Sequence, residues 1–306
     1  MPTATTPTPP LLLIPPSGGS FVERFEFLTD VFTAYDGSEG VRQALRAFPR
    51  MSFDYNFVLS TDEERTAFEP LLANERVLLP LYCHAFRWSQ GTPPLVDAVF
   101  GSNFARPLLV ANQDGSRERR DFFIYQGRID FRSGGYRPGD LVAWPLVEAR
   151  LDTESIEVEH PSPVITTLSA TFKAYDFDET SPSWGGPESL GLPLLTENNN
   201  FRAAVSETLS FSANTFDAGH LTSFEVRHRK RAVSVLITLT DRQAVAQFRR
   251  FIRAVRGRAG AFRWECPLGR MADRSESTWR LASDTVELNY YNPSLAECSL
   301  RFVELT

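Results

Sequence analysis

Residues 52 to 59 read S-F-D-Y-N-F-V-L, and residues 232 to 239 read A-V-S-V-L-I-T-L. Phe53, Tyr55, Phe57 and Leu59 alternate in the first segment, and Val233, Val235, Ile237 and Leu239 keep the same phase in the second. A period of two places one face of each segment in a core, so both read as half-buried strands. Directly after each comes a capping-box pattern, Ser60-x-x-Glu63 and Thr240-x-x-Gln243, in which a hydroxyl accepts from a free N–H and the third residue reaches back. Two helices are expected to start there. Their apolar stripes coincide at a constant offset of 180 residues, Phe68 on Phe248, Leu71 on Phe251 and Leu72 on Ile252, with Arg76 on Arg256.

The correspondence extends in both directions. After a three-residue insertion around Gly257 and Gly260, Leu79, Leu81 and Cys83 align with Phe262, Trp264 and Cys266 as a further strand. Upstream, at an offset of 181, Asp36-Gly37 and Asp217-Ala218 occupy the same turn, and Arg46 and Arg50 fall on Arg227 and Arg231. Each unit reads strand, turn, strand, strand, helix, strand, too long for a solenoid repeat, which points to a duplicated β-rich domain.

The expected fold class is mainly β with a few helices, a β-rich α+β chain. It has two related barrel- or sandwich-like domains, each with one packed helix, plus a β-rich insert. The expected boundaries are a proline-rich arm at 1–20, a first repeat domain at 21–90, the insert with a long loop at 91–200, and a second repeat domain at 201–306. Inside the insert, Pro107 to Asn112, Asp121 to Gln126, Asp140 to Leu151 and Val164 to Phe177 read as strands with no crossover helices between them. A hairpin around Asn292-Pro293 closes the chain.

Composition narrows the classes. The chain has 306 residues, 42% of them apolar, and a net charge of −6, which argues against a general nucleic-acid binder. Cys83, Cys266 and Cys298 form neither a disulfide framework nor a zinc spacing, so a reducing compartment is the default. The four histidines stand at no metal-ligand spacing, and no zincin motif, nucleophile elbow, phosphate loop or dinucleotide fingerprint occurs. No cofactor, metal or catalytic residue is expected. Cys83-His84 would point to opposite faces of a strand, and the acidic run Asp176-Phe177-Asp178-Glu179 lacks the glycine and distal glutamate of a calcium loop.

The first twenty residues carry no charge, and Leu11 to Ile14 is far too short to span a membrane. Six prolines make this stretch an extended, polyproline-like arm. It is either a loose terminus or a segment whose Leu11, Leu12, Leu13 and Ile14 lie on a neighbouring subunit.

Charge is polarised along the chain. Residues 227–274 hold thirteen basic and three acidic residues, a net of +10, leaving −16 for the remainder of a chain whose total is −6. Residues 21–75, by contrast, hold eleven acidic and five basic residues. On the second helix Arg242, Arg249, Arg253 and Arg256 are expected to form a basic stripe opposite Val245, Phe248 and Ile252. That stripe is a solvated face, a polyanion site, or a contact for the acidic first copy of the next subunit in a head-to-tail ring; the ring fits best, because aromatics for base stacking are not interleaved with the arginines.

Thr29-Asp30-Val31, Tyr35-Asp36-Gly37, Leu45-Arg46 to Pro49-Arg50 and the alternating Phe53 to Leu59 occur in the order seen at the start of tail-tip structural proteins of long-tailed bacteriophages, which this segment resembles. The strand ending at Leu79 to Tyr82 also looks like that family, and Phe248 to Pro267 is similar to the helix and F-R-W segment of distal-tail proteins. Together these cover about half the chain.

The resemblance implies a virion structural role in the tail, assembled in the host cytoplasm, without catalytic residues. Its implied partners are copies of itself, as a trimer with pseudo-six-fold symmetry or a hexamer, and tail tube and hub proteins, with no membrane and no specific nucleic acid. A carbohydrate- or receptor-binding module, through Trp88, Trp184 or Tyr290-Tyr291, is the alternative, and a cell-wall or capsule hydrolase a third.

Overall fold

The computed structural model describes residues 9–17, 21–33, 39–46, 48–72, 76–88, 103–111, 117–125, 128–130, 141–152, 156–175, 186, 188–189, 191–196, 201–217, 222–264 and 277–305. In chain order the strands are β1 (Phe21–Glu26), β2 (Thr29–Thr33), β3 (Glu39–Ala44), β4 (Arg50–Leu59), β5 (Val77–Pro80), β6 (Phe86–Trp88), β7 (Asn103–Ala111), β8 (Arg117–Tyr125), β9 (Arg128–Asp130) and β10 (Leu141–Leu151). They continue as β11 (Val158–Ser162), β12 (Ile165–Ala174), β13 (Glu188–Ser189), β14 (Leu192–Leu195), β15 (Phe201–Asp217), β16 (Thr222–Leu239), β17 (Phe262–Trp264), β18 (Thr278–Leu281), β19 (Thr285–Asn292) and β20 (Leu295–Leu305). Two α-helices, α1 (Asp62–Leu72) and α2 (Arg242–Val255), follow β4 and β16. The chain is mainly β, a β-rich α+β fold, with one helix in each repeat among the described residues.

It divides into two compact units that are not contiguous in sequence. The first comprises Met1–Arg24, Arg50–Pro182 and Leu288–Ala296; the second comprises Phe25–Pro49, Ser183–Glu287 and Glu297–Thr306. This differs from the expected consecutive boundaries at 90 and 200, and the ladders explain why.

In the first unit the order is β4, β12, β10, β5, all antiparallel, with Phe53 opposite Phe172, Leu151 opposite Phe172, and Val77 opposite Ala149. In the second unit β16 pairs with β20, β20 with β18 and β18 with β17, with Leu281 opposite Phe302 and Phe262 opposite Trp279. The pairs Leu151–Phe172 and Leu281–Phe302 stand at one constant offset of 130 residues, as do the backbone bonds from Asp152 N to Thr171 O and from Ala282 N to Arg301 O. Strands β10 to β12 are therefore the counterparts of β18 to β20. The second half of the expected insert belongs to the first repeat, and the interposed strands reduce to β6–β9, where β7 pairs with β8 and β10 and β8 pairs with β9.

The same ladders correct the alignment after the helices. Val77, opposite Ala149, matches Phe262, opposite Trp279, so five residues rather than three are inserted. A shift of two leaves every side chain on its own face, which is why the apolar pattern could not register it. The strand expected through Cys83 ends earlier, in a 3₁₀ turn at Tyr82–His84.

The alternating rows fill the cores as expected. Phe53, Tyr55, Phe57 and Leu59 are buried with Phe68 of α1, and Val233, Val235, Ile237 and Leu239 with Phe248, Phe251 and Ile252 of α2. Ring contacts run from Phe57 to Phe68 at 5.3 Å and from Phe251 through Phe262 to Phe302 at 5.1 and 4.9 Å. Both caps sit one residue later than expected. Thr61 Oγ1 accepts from the Glu64 N–H at 3.1 Å, while Glu64 Oε2 accepts from the Ser60 and Thr61 N–H groups. The Ser60 N–H foremost, with lesser help from Thr61, holds the Glu64 carboxyl below its ordinary pKa against the opposing effect of desolvation. In α2, Asp241 rather than Thr240 is the cap, accepting from the Ala244 N–H at 2.7 Å.

In the second unit one carboxylate ties several loops together. Asp284 accepts from Thr29 N, Thr29 Oγ1 and Arg258 N at 2.8 to 3.0 Å, and its carbonyl accepts from Phe27 N at 2.9 Å. Helix α2 ends in two successive left-handed residues, Arg256 at φ 55° and Gly257 at φ 65°. A Cβ on Gly257 would stand 2.6 Å from Asp284 Oδ1 and 2.8 Å from Phe27 Cβ, so only glycine fits the knot. Asp284→Ala should lower stability by about 2–3 kcal/mol, with Asp284→Asn losing less, and Gly257→Ala by about 1–3 kcal/mol, each read as a lower midpoint in denaturant.

Candidate interaction surfaces

The β2–β3 ribbon is a two-stranded sheet of its own, with Asp30 opposite Gln43 and Leu45 N donating to Leu28 O. Its inner face, through Thr29 and Arg42, is held by Asp284 and the Arg258 carbonyl. Alternation sends Leu28, Asp30 and Phe32 of one strand and Leu45, Gln43 and Val41 of the other to the opposite face. There Leu28 is 43% exposed, Phe32 56%, Val41 73% and Leu45 47%. Four large apolar side chains on one face of a narrow ribbon form a patch of a few hundred Å², the size at which exposed apolar surface is commonly functional. The irregular register between Val31 and Thr33 is a bulge of the kind that re-aims side chains, here beside Phe32.

The arginines of α2 do not form one outward stripe. Arg249 is fully buried, its guanidinium 5.7 Å from the centre of the Phe25 ring, and Arg253 stands 6.0 Å from the same ring. Arg242 and Arg256 are exposed, one at the first residue of the helix and one at its left-handed C-cap. Helical spacing shows that four residues lie near one side, but it does not show that Phe25 covers the middle of that side. The aromatic face offers such a cation a favourable contact of about 0.5–2 kcal/mol, one part of what offsets its burial.

Residues 9–17 of the arm lie along β5 of their own chain. Leu11 bridges Leu78 in parallel, Leu12 N donates to Leu78 O at 3.0 Å, and Leu78 N donates to Pro10 O at 2.8 Å. Leu12, Ile14 and Pro16 are buried in the first unit, whereas Leu11 is half-buried and Leu13 exposed. Arg117 stacks 5.2 Å from the Trp144 ring and donates to the Leu13 carbonyl at 3.1 Å, and Ser17 donates to the Asn56 carbonyl. Burial pushes the neighbouring Tyr82 hydroxyl up to about 12, against the opposing pull of the Arg117 charge. Proline content predicts extension but not where an extended segment docks; the open edge of β5 supplies that answer.

A buried polar cluster in the first unit escaped sequence reasoning. Glu23 is fully buried on β1, accepts from Tyr290 Oη at 2.7 Å, and lies 3.4 Å from His84 Nε2. A charged residue at an otherwise apolar position of β1 was the available signal. Tyr290 is thus an internal partner and not a platform for sugars, although Tyr291 is half exposed. The side chains of Trp88 and Trp184, and the run Asp176 to Glu179, lie outside the described residues, as does Cys266. Cys83 is buried, and Cys298 is buried with its thiol pKa raised, first by desolvation and then by Glu287. No group of three or more potential metal ligands occurs among the described residues, and no described helix is long and apolar enough to cross a membrane.

No protein-family model matches this chain, and no curated protein matches it. Surfaces must therefore be tested on the molecule itself. Leu12→Asp should release the arm, seen as new proteolytic cleavage before Phe21 together with a loss of about 2–4 kcal/mol. Tyr290→Phe should cost about 1–3 kcal/mol, because the buried Glu23 carboxyl loses a donor while the ring is kept.

Proposed function

We propose that this chain is a non-catalytic structural protein of a phage tail tip, forming a ring that joins the tail tube to the hub or fibres. The observation that carries the reading is the exposed apolar face of β2–β3, with Leu28, Phe32, Val41 and Leu45 outward. It falls within residues 25–50, the segment whose motifs resemble tail-tip proteins. A permanent partner covering that face gains about 1–2 kcal/mol for each of these side chains, since about half of each is already out of water. The partners in this reading are further copies of the chain, as a pseudo-six-fold trimer or a hexamer, and the tube and hub proteins. Its place is the virion tail, after assembly in the host cytoplasm.

Duplication supports this reading. Two repeats with the same strand order let one chain present two similar surfaces, which suits a junction between layers of different symmetry.

Mass photometry of the purified protein, alone and with the tail tube protein, tests the proposal. A closed oligomer, or a defined complex with the tube, is expected. Phe32→Asp should weaken the association by roughly a hundredfold, corresponding to about 3 kcal/mol, while leaving the denaturant midpoint nearly unchanged. A chain that stays monomeric at micromolar concentration and ignores the tube protein overturns the reading.

A further inference from the structure

We propose that the β11–β12 hairpin is a docking element for a second copy of this chain, and that β11 adds to the edge of that copy's β15. This rests on the assembly reading above and names a contact that builds the assembly.

The chain holds this hairpin twice. At the offset of 130 set by the ladders, β11 falls on the last five residues of β19, and Ile165, which opens β12, falls on Leu295, which opens β20. Pro163 in the first turn falls on Pro293 in the second. The second hairpin is docked in the first unit. Leu288–Ala296 belong to that unit, where β19 pairs with β1, Tyr290 donates to Glu23 at 2.7 Å, and the Tyr290 ring meets His84 edge-on at 5.6 Å.

Position by position, the first hairpin is bare where the second is covered. Leu288 is fully buried, and Val158 in its place is 43% exposed. Leu295 is half-buried, and Ile165 is 37% exposed; Val164, in the turn, is 64% exposed. Tyr290 is fully buried, whereas His160 in its place is exposed, with Nδ1 3.1 Å from Thr166 Oγ1. The first four residues of β11 are all exposed, so this strand meets water on both faces. It pairs with β12, Val158 opposite Leu168. An open edge carrying apolar side chains is a template for another strand. Pro161 withholds one N–H beside the turn, so the added ladder spans Val158–His160 and the apolar side chains complete the contact.

What the second hairpin meets identifies what the first one fits. Its receiver β1 has β15 as counterpart at the offset of 180, with Phe21 on Phe201 and Glu23 on Ala203. β15 pairs with β16 from Phe201 opposite Leu239 onward, as β1 pairs with β4. Because Val158, Val164 and Ile165 are exposed in the single chain, its own β15 does not cover them. The occupant is therefore the β15 edge of a second copy, with His160 placed near Ala203 as Tyr290 is placed on Glu23. Hairpin and edge are different surfaces, so the contact is heterologous, and such a contact closes into a ring when its rotation permits.

Val158→Asp and Val164→Asp test the hairpin. Mass photometry should show each weakening self-association by about tenfold, with the denaturant midpoint nearly unchanged. Should Val158→Asp fold poorly, Val164→Asp, at the more exposed position, carries the test. Copies of different tag bearing His160→Cys and Ala203→Cys, treated with a short bis-maleimide, should cross-link to each other. Self-association at wild-type strength in Val164→Asp, an absent mixed cross-link, or His160→Cys copies joined to one another in its place overturns the inference and leaves the assembly reading standing. So does a wild-type chain that binds the tube protein yet never self-associates. A wild-type chain that does neither overturns both.

Discussion

Everything in this molecule depends on a period-two apolar row being covered twice. Phe53, Tyr55, Phe57 and Leu59 in one repeat, and Val233, Val235, Ile237 and Leu239 in the other, lie on strands whose other faces stay partly in water. A one-residue slip would carry all four side chains of a row to the wrong face, a loss of about 1.5–3 kcal/mol for each. That penalty holds registers such as Phe53–Phe172 and Leu239–Phe201, which set where the strands meet the helices that follow them. The helices have little independent stability at their lengths, so Phe68 and Phe248 dock them on strands already in place.

Polar groups then decide what the apolar rows leave open. Asp284 joins β2, the end of α2 and the β18–β19 connection in one set of hydrogen bonds, and Gly257 lets the backbone come close enough to make them. Glu23 is placed in the first unit where Tyr290 can reach it, which ties the closing strands to β1. Arg249 shows the same logic for a cation, accommodated against the Phe25 ring. Buried charges of this kind are costly unless every partner is present, so they specify one arrangement more strongly than they stabilise it. The exposed face of β2–β3 is different in kind. Its apolar side chains meet no such requirement inside the chain and stay half exposed, the property on which the proposed assembly role rests.

The alternating rows, the helix positions, the all-β character of the interposed strands and the closing hairpin at Asn292-Pro293 were legible in the residues themselves. Each depends on periodicity or on a turn residue, and both are local properties. The caps were displaced by one residue because Thr61 and Asp241 offer oxygen atoms as suitable as those of Ser60 and Thr240, and only backbone geometry chooses between neighbours. The β10–β12 and β18–β20 relation was missed for a related reason. Its apolar positions exchange Leu168 for Cys298 and Ala170 for Leu300, conserving burial and not identity, so the match becomes plain only in the ladders.

By itself the sequence determined that the chain is β-rich, duplicated and polarised in charge, because periods, capping residues and charges are read within a few residues. Tertiary structure alone decided that β2–β3 is counted with the second unit, that the arm lies along β5, that Arg249 turns inward and that Glu23 meets Tyr290. These are pairings between groups as much as 267 residues apart. No local pattern encodes such a partner, since many strand edges and aromatic faces satisfy the same local preference, and the choice among them is made by the packing of the whole core.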